Sequence, residues 1–120
     1  MDITALIGKT LSEVRIDRDE DEITFITTNG EKYKMFHYRD CCESVTIDDI
    51  NGDVEDIIGS EILEAEERTN CEDMMGRRLD SFTWTFYTIA TIKGYLDIKW
   101  LGESNGYYSE SVDFKLLKED

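Results

Sequence analysis

The chain has 120 residues, of which 40% are hydrophobic and 11% aromatic, so it is long enough for one folded core and its composition excludes a disordered protein. Twenty-eight acidic residues against thirteen basic ones leave a formal charge of −15, which argues against direct binding of nucleic acid. We find no apolar run of about 18 residues and no signal-peptide pattern, and therefore expect a cytoplasmic protein with a single domain over residues 1–120.

The N-terminal third is predicted to form β-strands. The stretch LSEVRID is followed by an acidic turn, and the runs EITFITT and EKYKMFH are then joined by Asn29 and Gly30. An Asn-Gly pair between alternating runs predicts a hairpin, because both residues tolerate the positive φ angles of a type I′ turn. The alternation of the second arm predicts that His37 lies at the end of a strand.

The middle of the chain, residues 40–73, is strongly acidic. It contains thirteen acidic residues and one basic residue, and so carries −12 of the total charge of −15. Within it, SVTIDDI predicts a short strand, NGDVEDIIGS a helical turn, and EILEAEERT either a strand or a helix.

The C-terminal third again favours strands. The runs SFTWTFYTIATI, YLDIKWLG and YYSESVDFKLL are rich in threonine, aromatic and β-branched residues and are separated by glycine-containing turns. They predict a three-stranded antiparallel meander. The whole pattern indicates an α+β fold that is mostly antiparallel sheet with one or two short helices.

The heptapeptide HYRDCCE holds most of the residues that can bind a soft metal. His37, Cys41, Cys42 and Cys71 are all the histidine and cysteine that the chain contains. The odd number of cysteines favours reduced thiols. Three thiolates and one imidazole suit a closed tetrahedral site, so the set predicts one structural zinc ion (Zn2+).

Two alternatives to this ligand set stay open. Adjacent cysteines in an extended strand point to opposite faces, so Cys41 and Cys42 both bind zinc only if the backbone there turns. If it does not, Asp40 or Glu43 replaces one of them. In the other alternative, the cysteines are small buried residues and the histidine is a hydrogen-bonded polar residue without a metal.

Enzymatic activity is not expected. Carboxylate pairs such as Asp48 with Asp49 are common by chance in so acidic a chain, and DINGDVED lacks the ligand spacing of a calcium loop. Cys41 and His37 are not accompanied by an oxyanion-hole glycine run. The aromatic residues near the C-terminus lack a basic groove for stacking on nucleotides, and we expect them in the core.

The segments HYRDCCESVTIDDINGDVEDIIG, ILEAEE and GESNGYYSESVDF resemble a family of small acidic proteins of phages and prophages, and the core H-x3-C-C-E-S-V is the most specific part. Some proteins of this appearance are similar to type II-A anti-CRISPR inhibitors, which disable the RNA-guided nuclease of the host. The resemblance implies bound zinc and covers His37, Cys41 and Cys42. Cys71 lies outside the matched core.

These observations predict a monomeric inhibitor of the type II CRISPR nuclease in the host bacterial cytoplasm, which competes for a basic nucleic-acid channel and blocks target DNA loading. The expected partner-binding face consists of Asp48, Asp49, Asp53, Glu55, Asp56, Glu64, Glu66 and Glu67. An alternative is a protein that sequesters a host immune signalling nucleotide with Arg77, Arg78 and Lys99. A third interpretation is an accessory domain whose acidity secures solubility alone.

Overall fold

Segments in which apolar and polar residues alternate form eight β-strands in the part of the chain that the structure describes. The computed structural model describes residues 1–39, 41–73, 81–104 and 109–119, with the backbone alone for residues 71–73 and 118–119. The strands are β1 Leu11–Asp17, β2 Glu22–Thr27, β3 Glu31–Phe36, β4 Ser44–Gly52, β5 Glu64–Asp73, β6 Ser81–Thr91, β7 Gly94–Ser104 and β8 Asp113–Glu119. Two 3-10 helices, Ile3–Leu6 and Val54–Ile57, precede β1 and β5.

The strands form two four-stranded antiparallel sheets. The first sheet has the order β1-β2-β3-β8 and the second β4-β7-β6-β5. The expectation of a mostly antiparallel protein with little helix is therefore confirmed. No helix among the described residues is long and apolar enough to cross a membrane.

One hydrophobic core lies between the inner faces of the two sheets. Phe25 and Met35 come from the first sheet, and Ile98 and Trp100 from the second, and all four are buried. They alternate with outward residues along each strand because successive side chains of a strand point to opposite faces. The Trp100 indole Nε1 donates a hydrogen bond to the Met35 sulfur at 3.3 Å, which joins the sheets across the core.

The hairpin between β2 and β3 is confirmed, but its turn is not the expected type I′. Gly30 has a φ of +87°, whereas Asn29 is not among the described residues with positive φ. The Gly30 N–H donates to the Thr27 carbonyl oxygen at 3.0 Å. A turn of this kind needs one left-handed residue, and glycine takes that conformation without steric cost.

The last strand leaves the predicted meander. β8 pairs with β3 of the first sheet, with Lys34 opposite Lys115, and not with β7. The preceding segment is held on the second sheet by the buried Glu110 carboxylate, which accepts hydrogen bonds from Thr83 at 2.7 Å and from the Ser104 hydroxyl. Gly102 leaves room for this crossing, because a Cβ there would lie 2.6 Å from the Glu110 carbonyl oxygen.

Candidate functional site

His37 follows β3 and is locked by two hydrogen bonds. Its Nε2 lies 2.7 Å from Glu43 Oε2 and its Nδ1 lies 2.7 Å from the Ser111 carbonyl oxygen. A carbonyl oxygen carries no hydrogen, so Nδ1 is the donor to Ser111. Glu43 is 1% exposed, and its second oxygen accepts the Cys41 N–H at 2.9 Å. We call His37, Cys41, Cys42 and Glu43 the clasp, because they tie the start of β4 to the segment before β8.

The two adjacent cysteines of the clasp lie on a turned backbone, which meets the condition for both sulfurs to face the same side. The sulfur atoms are bonded to each other as a disulfide, and both residues are exposed. This differs from the expected reduced thiols, because adjacency in a turn brings the two sulfurs together. Zinc needs thiolates, so the disulfide and a zinc site are alternative states of the same two residues.

The structure does not bring Cys71 next to the clasp. Cys71 pairs with Thr83, Thr83 with Gly102, and Gly102 with Val45, so the Cys71 backbone lies three strands from the start of β4. At about 4.8 Å per strand this separation is roughly 14 Å. Asp40 lies outside the described residues. Among those described, no three His, Cys, Asp or Glu side chains are arranged as a metal site. Glu43, one of the two acidic residues expected to replace a cysteine as a zinc ligand, contacts His37.

Zinc binding stays a prediction with a direct measurement. Protein prepared with a reductant and without added metal is expected to contain about one zinc per chain by elemental analysis. The variant Cys41→Ser should lose the metal. The variant Cys71→Ser separates the ligand sets: loss of zinc assigns Cys71 as a ligand, and retention assigns the fourth position to an acidic residue, Asp40 or Glu43. Reduced protein free of zinc would remove the site.

The residues of the expected partner-binding face are distributed over two strands and a 3-10 helix of the second sheet region. Asp48 and Asp49 lie on β4 and Glu64 and Glu66 on β5, at opposite edges of the second sheet. The remaining members, Asp53, Glu55, Asp56 and Glu67, are distributed over the 3-10 helix region and β5. These residues lie on the two edge strands of one sheet and on the 3-10 helix that follows β4 in the chain, and their role as a partner-binding face stays a prediction.

Glu67 is engaged within the protein. Its carboxylate accepts a hydrogen bond from the Tyr87 hydroxyl at 2.5 Å. Burial, together with this carboxylate, raises the pKa of Tyr87 well above its usual range. Glu67 therefore supports the packing of β5 on β6.

Sequence reasoning missed the acidic turn between β1 and β2 as part of a candidate site. The turn between β1 and β2 lies against β4, because Arg18 donates to the carbonyl oxygens of Ile47 and Asp48, each at 3.3 Å. Asp21 accepts the Ile47 N–H at 3.0 Å. Between this turn and β4 lies a groove of about 390 Å³, which we call the acidic groove. Its acidic lining residues are Asp19, Glu20, Asp21, Glu22 and Glu43.

The outer face of the second sheet carries aromatic residues that we expected in the core. Trp84 and Phe86 of β6 are half-buried and alternate with the buried Thr85 and Tyr87. The Lys99 ammonium lies 4.3 Å from the centre of the Trp84 ring. The expectation was wrong for these two aromatic residues, because they lie on the face of β6 opposite the core, where a cation covers the indole.

A family model described as Domain of unknown function (DUF7448) matches residues 4–114. The chain belongs to the DUF7448 family. The match runs from the first 3-10 helix into β8, so the DUF7448 domain includes both sheets, the clasp and the acidic groove. No curated protein matches the chain, and no solved structure matches it.

Proposed function

We propose that this protein is a non-enzymatic inhibitor that binds the type II CRISPR nuclease of a bacterial host directly and blocks the loading of target DNA. The observation that supports this proposal is the acidic groove. Four consecutive acidic residues line it on one side, and Asp19 and Glu20 are exposed at its rim. His37 and Arg39 line the groove as well, and the exposed carboxylates at the rim favour the arginine or lysine side chains with which such nucleases hold nucleic acid.

Electrostatics supports the same partner. A formal charge of −15 attracts a basic channel over a distance comparable to the Debye length, which is about 8 Å at physiological salt. Long-range attraction raises the rate of association, and the close pairs in the groove provide specificity. The site of action in this proposal is the host cytoplasm, where the nuclease meets invading DNA.

Charge reversal at the rim of the acidic groove tests the proposal. The double variant Asp19→Lys and Glu20→Lys is expected to weaken inhibition at least about a hundredfold, because two attractive contacts become repulsive. The measurement is binding of target DNA by the guide-loaded nuclease in the presence of increasing inhibitor, at two salt concentrations.

A matched control has the same change in net charge at the other edge of the molecule. The double variant Glu64→Lys and Glu66→Lys reverses two exposed carboxylates of β5 that lie away from the acidic groove. It should keep most of the inhibition at physiological salt. Equal losses in both variants would show that net charge alone matters, and full inhibition by a folded groove variant would contradict the proposal.

Sequestration of a signalling nucleotide by Lys99 has weaker support. Lys99 lines a cavity of about 140 Å³ together with Arg68 and Phe86, but Asp49 and Asp97 line it too. Small-molecule sites usually exceed about 300 Å³, and two carboxylates oppose a phosphate. Arg77 and Arg78 lie outside the described residues.

A further inference from the structure

The outer face of the first sheet concentrates positive charge in a chain that is otherwise acidic. Lys34 of β3 lies directly opposite Lys115 of β8, and Lys32 lies opposite Lys118 in the register of the backbone. Arg15 of β1 lies in the same row across the sheet as Lys34, and Thr24 of β2 lies between them. Like charges directly opposite each other on neighbouring strands are destabilising. The pair of Lys34 with Lys115 is such a cost, and the fold does not require it.

Neutralisation by nearby acids is incomplete on this face. Lys34 forms an ion pair with Glu22 at 2.8 Å. Among the described residues Lys115 forms no ion pair. Instead, both ammonium groups lie over the same ring, at 4.8 Å for Lys34 and 5.7 Å for Lys115 from the centre of Phe36. Both charged groups therefore lie near one aromatic ring, and an acidic partner neutralises only Lys34 among the described residues.

A groove of about 360 Å³ lies at this point. It is lined by Lys34, Phe36, His37, Tyr38, Arg39, Lys115 and Leu117, and we call it the basic groove. Tyr38 is 78% exposed. Its backbone N–H donates a hydrogen bond to the Asp113 carboxylate at 2.8 Å, which fixes the backbone of this exposed aromatic residue beside the cations. Cations beside an aromatic ring are the elements that bind the phosphate and the base of nucleotides.

We propose that the basic groove binds a mononucleotide, with its phosphate between the Lys34 and Lys115 ammonium groups and its base against Tyr38. Ammonium groups form charge-assisted hydrogen bonds with phosphate oxygens, and a phosphate relieves the repulsion between the two lysines. A long nucleic acid strand is disfavoured, because Glu22 and Asp113 border the row next to the lysines and the whole chain carries −15. This site lies on a different sheet from Lys99 and does not depend on nuclease inhibition.

Titration of the isotope-labelled protein with AMP at low salt tests the proposal by NMR. We expect AMP to shift the amide signals of residues 34–39 and 115 at millimolar concentrations, and to bind more tightly than inorganic phosphate or adenosine. The variant Lys115→Gln should weaken AMP binding about tenfold, because it removes one charged hydrogen-bond donor.

The matched control is Lys99→Gln, which also removes a lysine that lies over an aromatic ring, but on the second sheet. It should leave AMP binding unchanged. Equal affinity for adenosine and AMP would overturn the role of the phosphate, and equal affinity for inorganic phosphate and AMP would overturn the role of the base. Tighter binding of a single-stranded oligonucleotide than of AMP would replace the mononucleotide with a nucleic acid strand. Equal losses in the two lysine variants, or no shifts with AMP, would remove the site.

Discussion

The variant Glu43→Ala is expected to lose about 3–5 kcal/mol of unfolding free energy, because it breaks a buried hydrogen-bonded pair and leaves His37 without its partner. The side chains of His37 and Glu43 are 5% and 0% exposed, and 2.7 Å separates their bonded atoms. The Cys41 N–H loses its acceptor in the same variant. Domains have total stabilities of about 5–15 kcal/mol, so the loss is a large part of the whole. Urea unfolding followed by circular dichroism measures it.

Two controls keep this result interpretable. Glu20→Ala removes an exposed carboxylate from the turn between β1 and β2 and should change stability by no more than about 0.5 kcal/mol. In a double-mutant cycle, His37→Ala with Glu43→Ala should cost less than the sum of the two single variants, because the two residues act as one pair. Additive losses, or a Glu43→Ala protein as stable as the parent, would contradict the buried pair.

The variant Trp100→Ala should also cost about 3–5 kcal/mol, because it leaves a cavity where the two sheets meet. Trp100 is 0% exposed and its indole is bonded to Met35 of the other sheet. The loss therefore weakens the contact between the sheets in addition to the packing within one of them. The measurement is again the free energy of unfolding in urea.

The second tryptophan of the chain provides a matched control. Trp84 lies on the outer face of the same sheet, half-buried, under the Lys99 ammonium. Its replacement by alanine removes a cation–π contact and part of an exposed surface, and should cost about 1 kcal/mol. The remaining Trp100 should then emit at the shorter wavelength of a buried indole. Equal losses for the two tryptophans would show that Trp100 does not join the sheets.

Local patterns predicted the strands well. The alternation in EITFITT and EKYKMFH predicted the hairpin and divided each strand into two faces, because the period of side chains along a strand is a property of the strand itself. The structure buries the face that carries Phe25 and Met35. The same alternation did not say which face of β6 is the inner one. Trp84 and Tyr87 are both aromatic residues of β6, but only Tyr87 points towards the core.

The candidate site was predicted in part. The grouping of His37 with residues 41–43 followed from their closeness in the chain, and the turned backbone there was one of the two conditions considered. The polar residues next to Glu43 in the sequence did not indicate that its side chain is buried. Glu43 is bonded to His37, and the other ring nitrogen of His37 donates to the carbonyl oxygen of Ser111, which lies far along the chain.

The sequence by itself determined the antiparallel β class, the hairpin at Gly30 and the strongly negative net charge, because each depends on composition or on neighbours along the chain. Only the tertiary structure decided that β8 joins β3, that the acidic turn between β1 and β2 lies against β4, and that Lys34 faces Lys115. Each of these contacts joins residues that are distant in sequence. Their pairing depends on which strand surfaces are buried together, and no local pattern records that choice.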